Sequence, residues 1–256
     1  IRAAGRPVVC VGLRDQFAEQ LPDHCDEFVT AGIIQLGRWI RQLRRRGAAE
    51  AAMVGRVGKT RVHDPLRLVR HLPDWRAARV WFWRLRHDKR NQTLLKAVAD
   101  ELASGGITLI DTTQYVPDHL ADEGVMGTRR PPSGATADIE FARPIIARLC
   151  EVQIGQSLAV KDRDVIAVEA VEGTDAMIRR AGELCRSGGW TLVKAAGPDK
   201  DPRFDMPTIG VQTIERLAAA NAGCLAVEAG RVILLDKARV LAAADAAAIA
   251  VVGVRL

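Results

Sequence analysis

The feature that most restricts how this chain can fold is a repeated change of period, from short apolar β-branched runs into stretches with helical spacing. The stretch "IAVEAVEGTDAMIRRAG" makes that change at Glu-Gly-Thr-Asp, and "WTLVKAA" then starts the next apolar run. Strand and helix in alternation, with short connections, is the pattern of α/β architecture. "PVVCVGL" (7–13) and "AAMVGRV" (51–57) read as buried parallel strands. "NQTLLKAVADELASGG" sets Leu94, Leu95, Val98 and Leu102 on one helical face, closes on Gly105 and Gly106, and leads into the strand "ITLIDTT".

The texture changes at "GVMGTRRPPSGATADIE" (124–140), rich in Gly, Pro, Ser and Thr. We expect two domains: an N-terminal Rossmann-like parallel-sheet domain over 1–130 and a C-terminal α/β domain over 138–256. A linker at about 127–137 would join them, with a helix starting near Asp138. In the second domain "SLAVKDRDVIAVEA" reads as a hairpin, followed by the Glu-Gly-Thr-Asp helix, the strand "WTLVKAA" and a charged loop. The helix "PTIGVQTIERLAAANAG", a second hairpin "CLAVEAGRVILLD", an alanine-rich helix and the strand "IAVVGV" complete it.

At 256 residues and 48% hydrophobic content the chain can bury a core in each domain. No apolar run approaches the roughly 18–20 residues of a membrane span, and the first residues lack a signal-peptide layout, so a cytoplasmic location is expected. The chain opens on Ile1 in what reads as the end of a helix, and a first strand is expected upstream. Five scattered cysteines without a CxxC pair suggest neither disulfides nor a zinc knuckle. The net charge is +6, and residues 36–90 hold 16 basic against 4 acidic residues. Charge runs are commonly solvated faces. Trp81, Phe82 and Trp83 among Arg79, Arg84 and Arg86 also suit an anionic membrane surface or, less well, a single-stranded nucleic acid.

Two helices of the second domain begin beside polar residues: Gly173-Thr174-Asp175 and Asp205-Met206-Pro207-Thr208. Helix amino termini offer unpaired N–H groups and a positive dipole end to phosphate. Each has an ordinary structural reading, Thr174 as N-cap and Asp175 as a first-turn acid. Asp205 ends the charged loop "KAAGPDKDPRFD", and Met206 before Pro207 is held extended, which leaves Asp205 outside the helix. Lys194 closes a strand, where it is either a phosphate-facing cation or a snorkelled surface lysine. All five histidines precede the expected linker, so a His-rich two-metal centre is not expected in the second domain. Carboxylates with Mg²⁺ remain open.

These residues carry a resemblance. "IGQSLAVKDRDVIAVEAVEGTDAMIRRAG", "LVKAAGPDKDPRFDMPTIGVQTIERLAAANAGCLAVEAGRVILLD" and "AVVGV" resemble the LpxI type of UDP-2,3-diacylglucosamine pyrophosphatase across essentially the whole second domain. "LGRWIRQLRRRG", "MVGRV" and "LLKAVADELASGGITLID" match more loosely. Asn91 and Gln92 stand where the family usually has acids. The resemblance implies Mg²⁺-assisted hydrolysis of UDP-2,3-diacylglucosamine to UMP and 2,3-diacylglucosamine 1-phosphate (lipid X), with the ligand held between two domains. It implies that Asp205 is the essential aspartate, at metal or water. Asp175 and Glu172 are then candidate Mg²⁺ or supporting groups, with Gly173, Thr174, Lys194, Pro207, Thr208 and Gly210 around substrate phosphate. Peripheral contact with the inner membrane and homo-oligomerisation are both left open, and a nucleic-acid partner is not expected.

Two other functional classes fit the sequence less well. A dinucleotide-binding oxidoreductase is disfavoured because no G-x-G-x-x-G is present and "VGRVGKT" lacks its spacing. A non-catalytic lipid- or nucleotide-binding protein of the same fold fits the basic band but gives no reason for clustered acids beside an anionic ligand.

Overall fold

The structure, a computed structural model, describes residues 1–14, 16–55, 73–86, 90–197, 200–203 and 206–256. It divides into two units, Ile1–Tyr115 and Val116–Leu256.

In the first unit β1 (Val9–Leu13) lies parallel to β2 (Glu27–Ala31). Helix α1 (Leu36–Arg45) buries Leu36, Ile40 and Leu43 and keeps its arginines on the other faces. Next come β3 (Glu50–Ala51), α2 (Trp75–Trp83), α3 (Asn91–Ser104) and β4 (Thr108–Leu109), with β4 parallel to β3. The parallel α/β character is as expected, but the strands differ from the reading. β1 is only half-buried, and the described part of 51–57 keeps just the end of β3, with residues from 56 outside the described ones. The chain leaves α3 through Gly106 at φ 80°, and the Ile107 N–H donates to the Leu102 carbonyl at 3.0 Å.

Asp74 fixes α2. Its carboxylate caps the helix at the Ala77 N–H (3.0 Å) and also accepts from the Arg38 N–H near the start of α1 (3.1 Å). Arg76 and Arg79 both reach buried Glu101 on α3, at 2.6 and 2.9 Å, and Arg84 pairs with Asp100 at 2.6 Å. Three arginines of the expected cationic band are thus spent on carboxylates of their own unit.

The second unit is built on a six-stranded mixed sheet. Its elements in chain order are β5 (Gly124–Met126), α4 (Ala135–Glu151), β6 (Ser157–Lys161), β7 (Asp164–Val168), α5 (Thr174–Leu184) and β8 (Trp190–Lys194). Then follow β9 (Thr208–Ile209), α6 (Val211–Ala219), β10 (Ala222–Glu228), β11 (Ile233–Leu234), α7 (Lys237–Ala246) and β12 (Ala250–Val254). The strand order is β5-β12-β10-β8-β6-β7. β8, β10 and β12 run parallel, while β5 and β6 run against their neighbours. All five residues of β8 are buried, as expected for a parallel strand covered on both faces. Ile178, Ile214 and Val240 of α5, α6 and α7 pack on Leu192, Leu225 and Val251 on one face. Ile139, Ala142 and Ile146 of α4 cover Leu158, Val193 and Ala226 on the other.

The β6–β7 hairpin is as expected, and Asp162 and Arg163 at φ 53° and 61° give its turn the left-handed conformation that suits the strand twist. Asp138, buried in the first turn of α4, accepts from the Arg163 N–H at 2.7 Å and ties that turn down. The second expected hairpin does not form. β11 pairs parallel with β9 in a separate two-stranded ladder, and β10 pairs with β8 and β12.

The expected linker is also corrected. β5 is the edge strand of the second unit, and the N–H groups of Thr128 and Arg129 are held by Asp245 at 2.9 and 3.2 Å. Backbone bonds from Ala121 to Val232 and from Gly230 to Ala121 fasten the chain further upstream, so the division falls at 115/116 rather than at 127–137. His119 therefore belongs to the second unit, contrary to expectation, and its Nδ1 sits 3.2 Å from the Leu234 carbonyl. One imidazole does not make a His-rich two-metal centre.

Candidate active site

The strand registers bring distant residues to one end of the second unit's sheet. Ser157 opposes Lys194, Val227 aligns with Lys194, and Val168 lies opposite Leu158. The carboxyl ends of β7, β8 and β10 and the start of β6 therefore meet, in the position where open α/β sheets bind ligands. Ser157, Glu169, Lys194 and Glu228 all stand there, and all are buried.

Lys194 is 4% exposed, so it is not a snorkelled surface lysine. Its Nζ donates to Thr174 Oγ1 at 2.8 Å and to Ser157 Oγ at 3.4 Å. The Thr174 hydroxyl in turn donates to Glu169 Oε1 at 2.9 Å. The other oxygen of Glu169, Oε2, is buried without a hydrogen-bond partner among the described residues, an expensive position for a carboxylate oxygen.

Helix α5 is presented by a glycine. The N-cap is Gly173 at φ 84°, ψ 166°, a region essentially reserved for glycine, and among the described residues no side chain caps the helix. Thr174 is therefore the first helical residue rather than the N-cap. That releases its hydroxyl to join Lys194 to Glu169, while the first N–H groups of α5 have no intrahelical acceptor.

The expected acids are placed differently. Asp175 Oδ1 lies 3.0 Å from an Arg216 guanidinium nitrogen on α6. Glu172 pairs with Arg180 at 3.0 Å and accepts from the Ala170 N–H. Asp205, the third member of the expected grouping, lies outside the described residues, and Glu172 and Asp175 pair with different arginines. Among the described residues no three His, Cys, Asp or Glu side chains gather as a metal cluster. Mg²⁺ needs fewer, since one or two carboxylates and substrate phosphates suffice. The oxygen-only chemistry of these acids and the unpartnered Glu169 Oε2 fit that ion.

Pro207, Thr208 and Gly210 form the approach to α6. Helix α6 begins only at Val211, after β9 and the cap Gly210, so Thr208 is a strand residue and not a helix-opening one. Pro207 is buried and its carbonyl accepts from the Ile233 N–H.

Sequence reasoning missed Glu169, Ser157 and Glu228. Glu228 Oε2 accepts from the N–H groups of Ala196 and Gly197 at 2.7 and 3.2 Å, and so directs the chain as it leaves β8. Gly197, at φ 83°, packs so closely on Cys150 that an added Cβ would lie 2.5 Å from the Cys150 Cβ. Burial pushes the Cys150 thiol up to about 11. The available signal was an acid ending an otherwise apolar strand, a position that is costly unless the acid is bonded.

Two family descriptions cover nearly the whole chain: the LpxI N-terminal domain matches residues 1–119 and the LpxI C-terminal domain residues 122–252. The chain belongs to the LpxI family. A curated relative, the UDP-2,3-diacylglucosamine pyrophosphatase LpxI of Caulobacter vibrioides, is 32% identical over 264 residues, spanning 98% of this chain and 90% of that protein. The boundary between the two LpxI matches lies close to the structural division at 115/116. The linked Lys194, Thr174 and Glu169 side chains all lie inside the LpxI C-terminal match.

Proposed function

We propose that this LpxI-family chain hydrolyses the pyrophosphate of UDP-2,3-diacylglucosamine, releasing UMP and 2,3-diacylglucosamine 1-phosphate in lipid A biosynthesis. Water adds at one phosphorus, the bridging P–O bond breaks, and the departing phosphate takes the electron pair. The observation that supports this reading is the buried Lys194 ammonium beside the start of α5, at the carboxyl end of the strands. A cation beside helix N–H groups that have no intrahelical acceptor suits a pyrophosphate oxyanion.

In this reading Lys194 and the Gly173–Thr174 backbone bind the phosphates, and Glu169 holds Lys194 in place through Thr174. Asp205 holds Mg²⁺ or orients the attacking water, and Glu169 Oε2 is a second carboxylate oxygen for the ion. Bound Mg²⁺ would neutralise charge developing on the pyrophosphate. Thr208 and Gly210 contribute to the same phosphate pocket.

The test is UMP release from UDP-2,3-diacylglucosamine in the presence of Mg²⁺, followed by chromatography of the lipid product. No UMP release by the folded protein would overturn the reading.

A further inference from the structure

Helix α2 of the first unit exposes what helices ordinarily bury. Trp75 is 81% exposed, Phe82 69% and Trp83 84%. Trp75 and Phe82 are seven residues apart, two turns of helix, and so share a stripe; Trp83 stands about 80° to its side. The helix is nevertheless well anchored. Ala77 and Val80 are buried beneath it, Asp74 caps it, and Arg76 and Arg79 clamp it to Glu101. The rings are therefore carried into solvent on a fixed support.

We propose that this face of α2 docks on the headgroup layer of an anionic lipid bilayer. Three large rings project from a convex helix surface, and an interfacial layer can surround such rings with their apolar bodies inward and the indole N–H groups among headgroups. The charge agrees: among the described residues of 36–90, ten are basic and two acidic, an excess that anionic headgroups balance. The division of labour follows from the ion pairs. Arg79 and Arg84 already face Glu101 and Asp100, so the rings supply most of the attachment and the remaining basic residues supply the preference for anionic lipid. This surface does not depend on the proposed reaction, because bilayer attachment requires no turnover.

The experiment is co-sedimentation of the full chain with phosphatidylglycerol-rich vesicles and with phosphatidylcholine vesicles, without substrate. The expected result is binding to the anionic vesicles that falls at least roughly tenfold when Trp75, Phe82 and Trp83 are all changed to Ser, as loss of several large apolar groups requires. Tryptophan emission should shift to the blue on binding and be quenched by brominated acyl chains. An unchanged far-ultraviolet spectrum of the triple variant keeps the comparison free of unfolding. Equal binding by the triple variant, absence of binding by the parent chain, or a concentration-dependent dimer that the triple variant abolishes would each overturn the proposal.

Discussion

The Lys194 ammonium and the Glu169 carboxylate are joined by one hydroxyl, that of Thr174, at 2.8 and 2.9 Å. Opposite charges linked this way in a buried place behave as a unit, and groups acting as a unit give non-additive mutational effects. Lys194→Met is expected to lower kcat/KM by roughly 10²–10³. Glu169→Gln should lower it as well, and the double variant should be no worse than Lys194→Met. Thr174→Val, which removes the shared hydroxyl, should cost about 1–3 kcal/mol of stability. Steady-state kinetics and urea unfolding of the four proteins check this; strictly additive losses would break the link.

Asp205→Ala separates a residue that acts on the reacting phosphate from one that supports a loop. Turnover should fall by roughly 10³ or more while the melting temperature holds and substrate still binds. Single-turnover kinetics beside calorimetric binding of UDP-2,3-diacylglucosamine decide it, and near-normal turnover would remove Asp205 from the mechanism.

Gly173→Ala addresses the turn rather than the chemistry. At φ 84°, ψ 166° a Cβ is strained, and the change should destabilise the second unit by about 1–3 kcal/mol. Because the start of α5 must then shift, activity should fall as well, and urea unfolding beside UMP release measures the two effects.

Burial raises Cys150 from 9.0 to about 11 and Cys224 to about 12. A group whose folded value is raised stabilises the fold fully below its unfolded value and loses that contribution as pH climbs through the folded one. Stability should therefore decline between about pH 9 and 12, and Cys224→Ala should flatten the decline. Both thiols should resist disulfide exchange reagents at pH 8, since the thiolate is the reactive form. Urea midpoints against pH and thiol-labelling rates measure the two effects.

Much of the second unit was readable because its signals are local. A β-branched run entering Glu-Gly-Thr-Asp announced the strand-to-helix turn at Gly173, and Lys194 stood visibly at a strand end. Pairing over long range was not readable. β11 follows β10 at hairpin distance, yet its partner is β9, more than twenty residues earlier in the chain. The Gly- and Pro-rich stretch after β5 looked like a linker because Gly127 at φ 79° and Gly134 at φ 89° mark turns whether a segment is free or fastened. Only the fold reveals that Asp245 fastens it. Glu169 and Glu228 read as ordinary strand-end acids, because burial against a distant element leaves no trace in the neighbouring letters.

That fastening decides where the molecule can be cut. β12 is covered on its outer side by β5, so a fragment beginning at 138 would present the open backbone of β12 to other chains, an invitation to edge-to-edge aggregation. A fragment beginning at Val116 keeps its own cover. Expressed side by side, the longer piece should stay soluble and melt cooperatively, and the shorter should precipitate, although the residues that distinguish them contain none of the side chains assigned to the reaction.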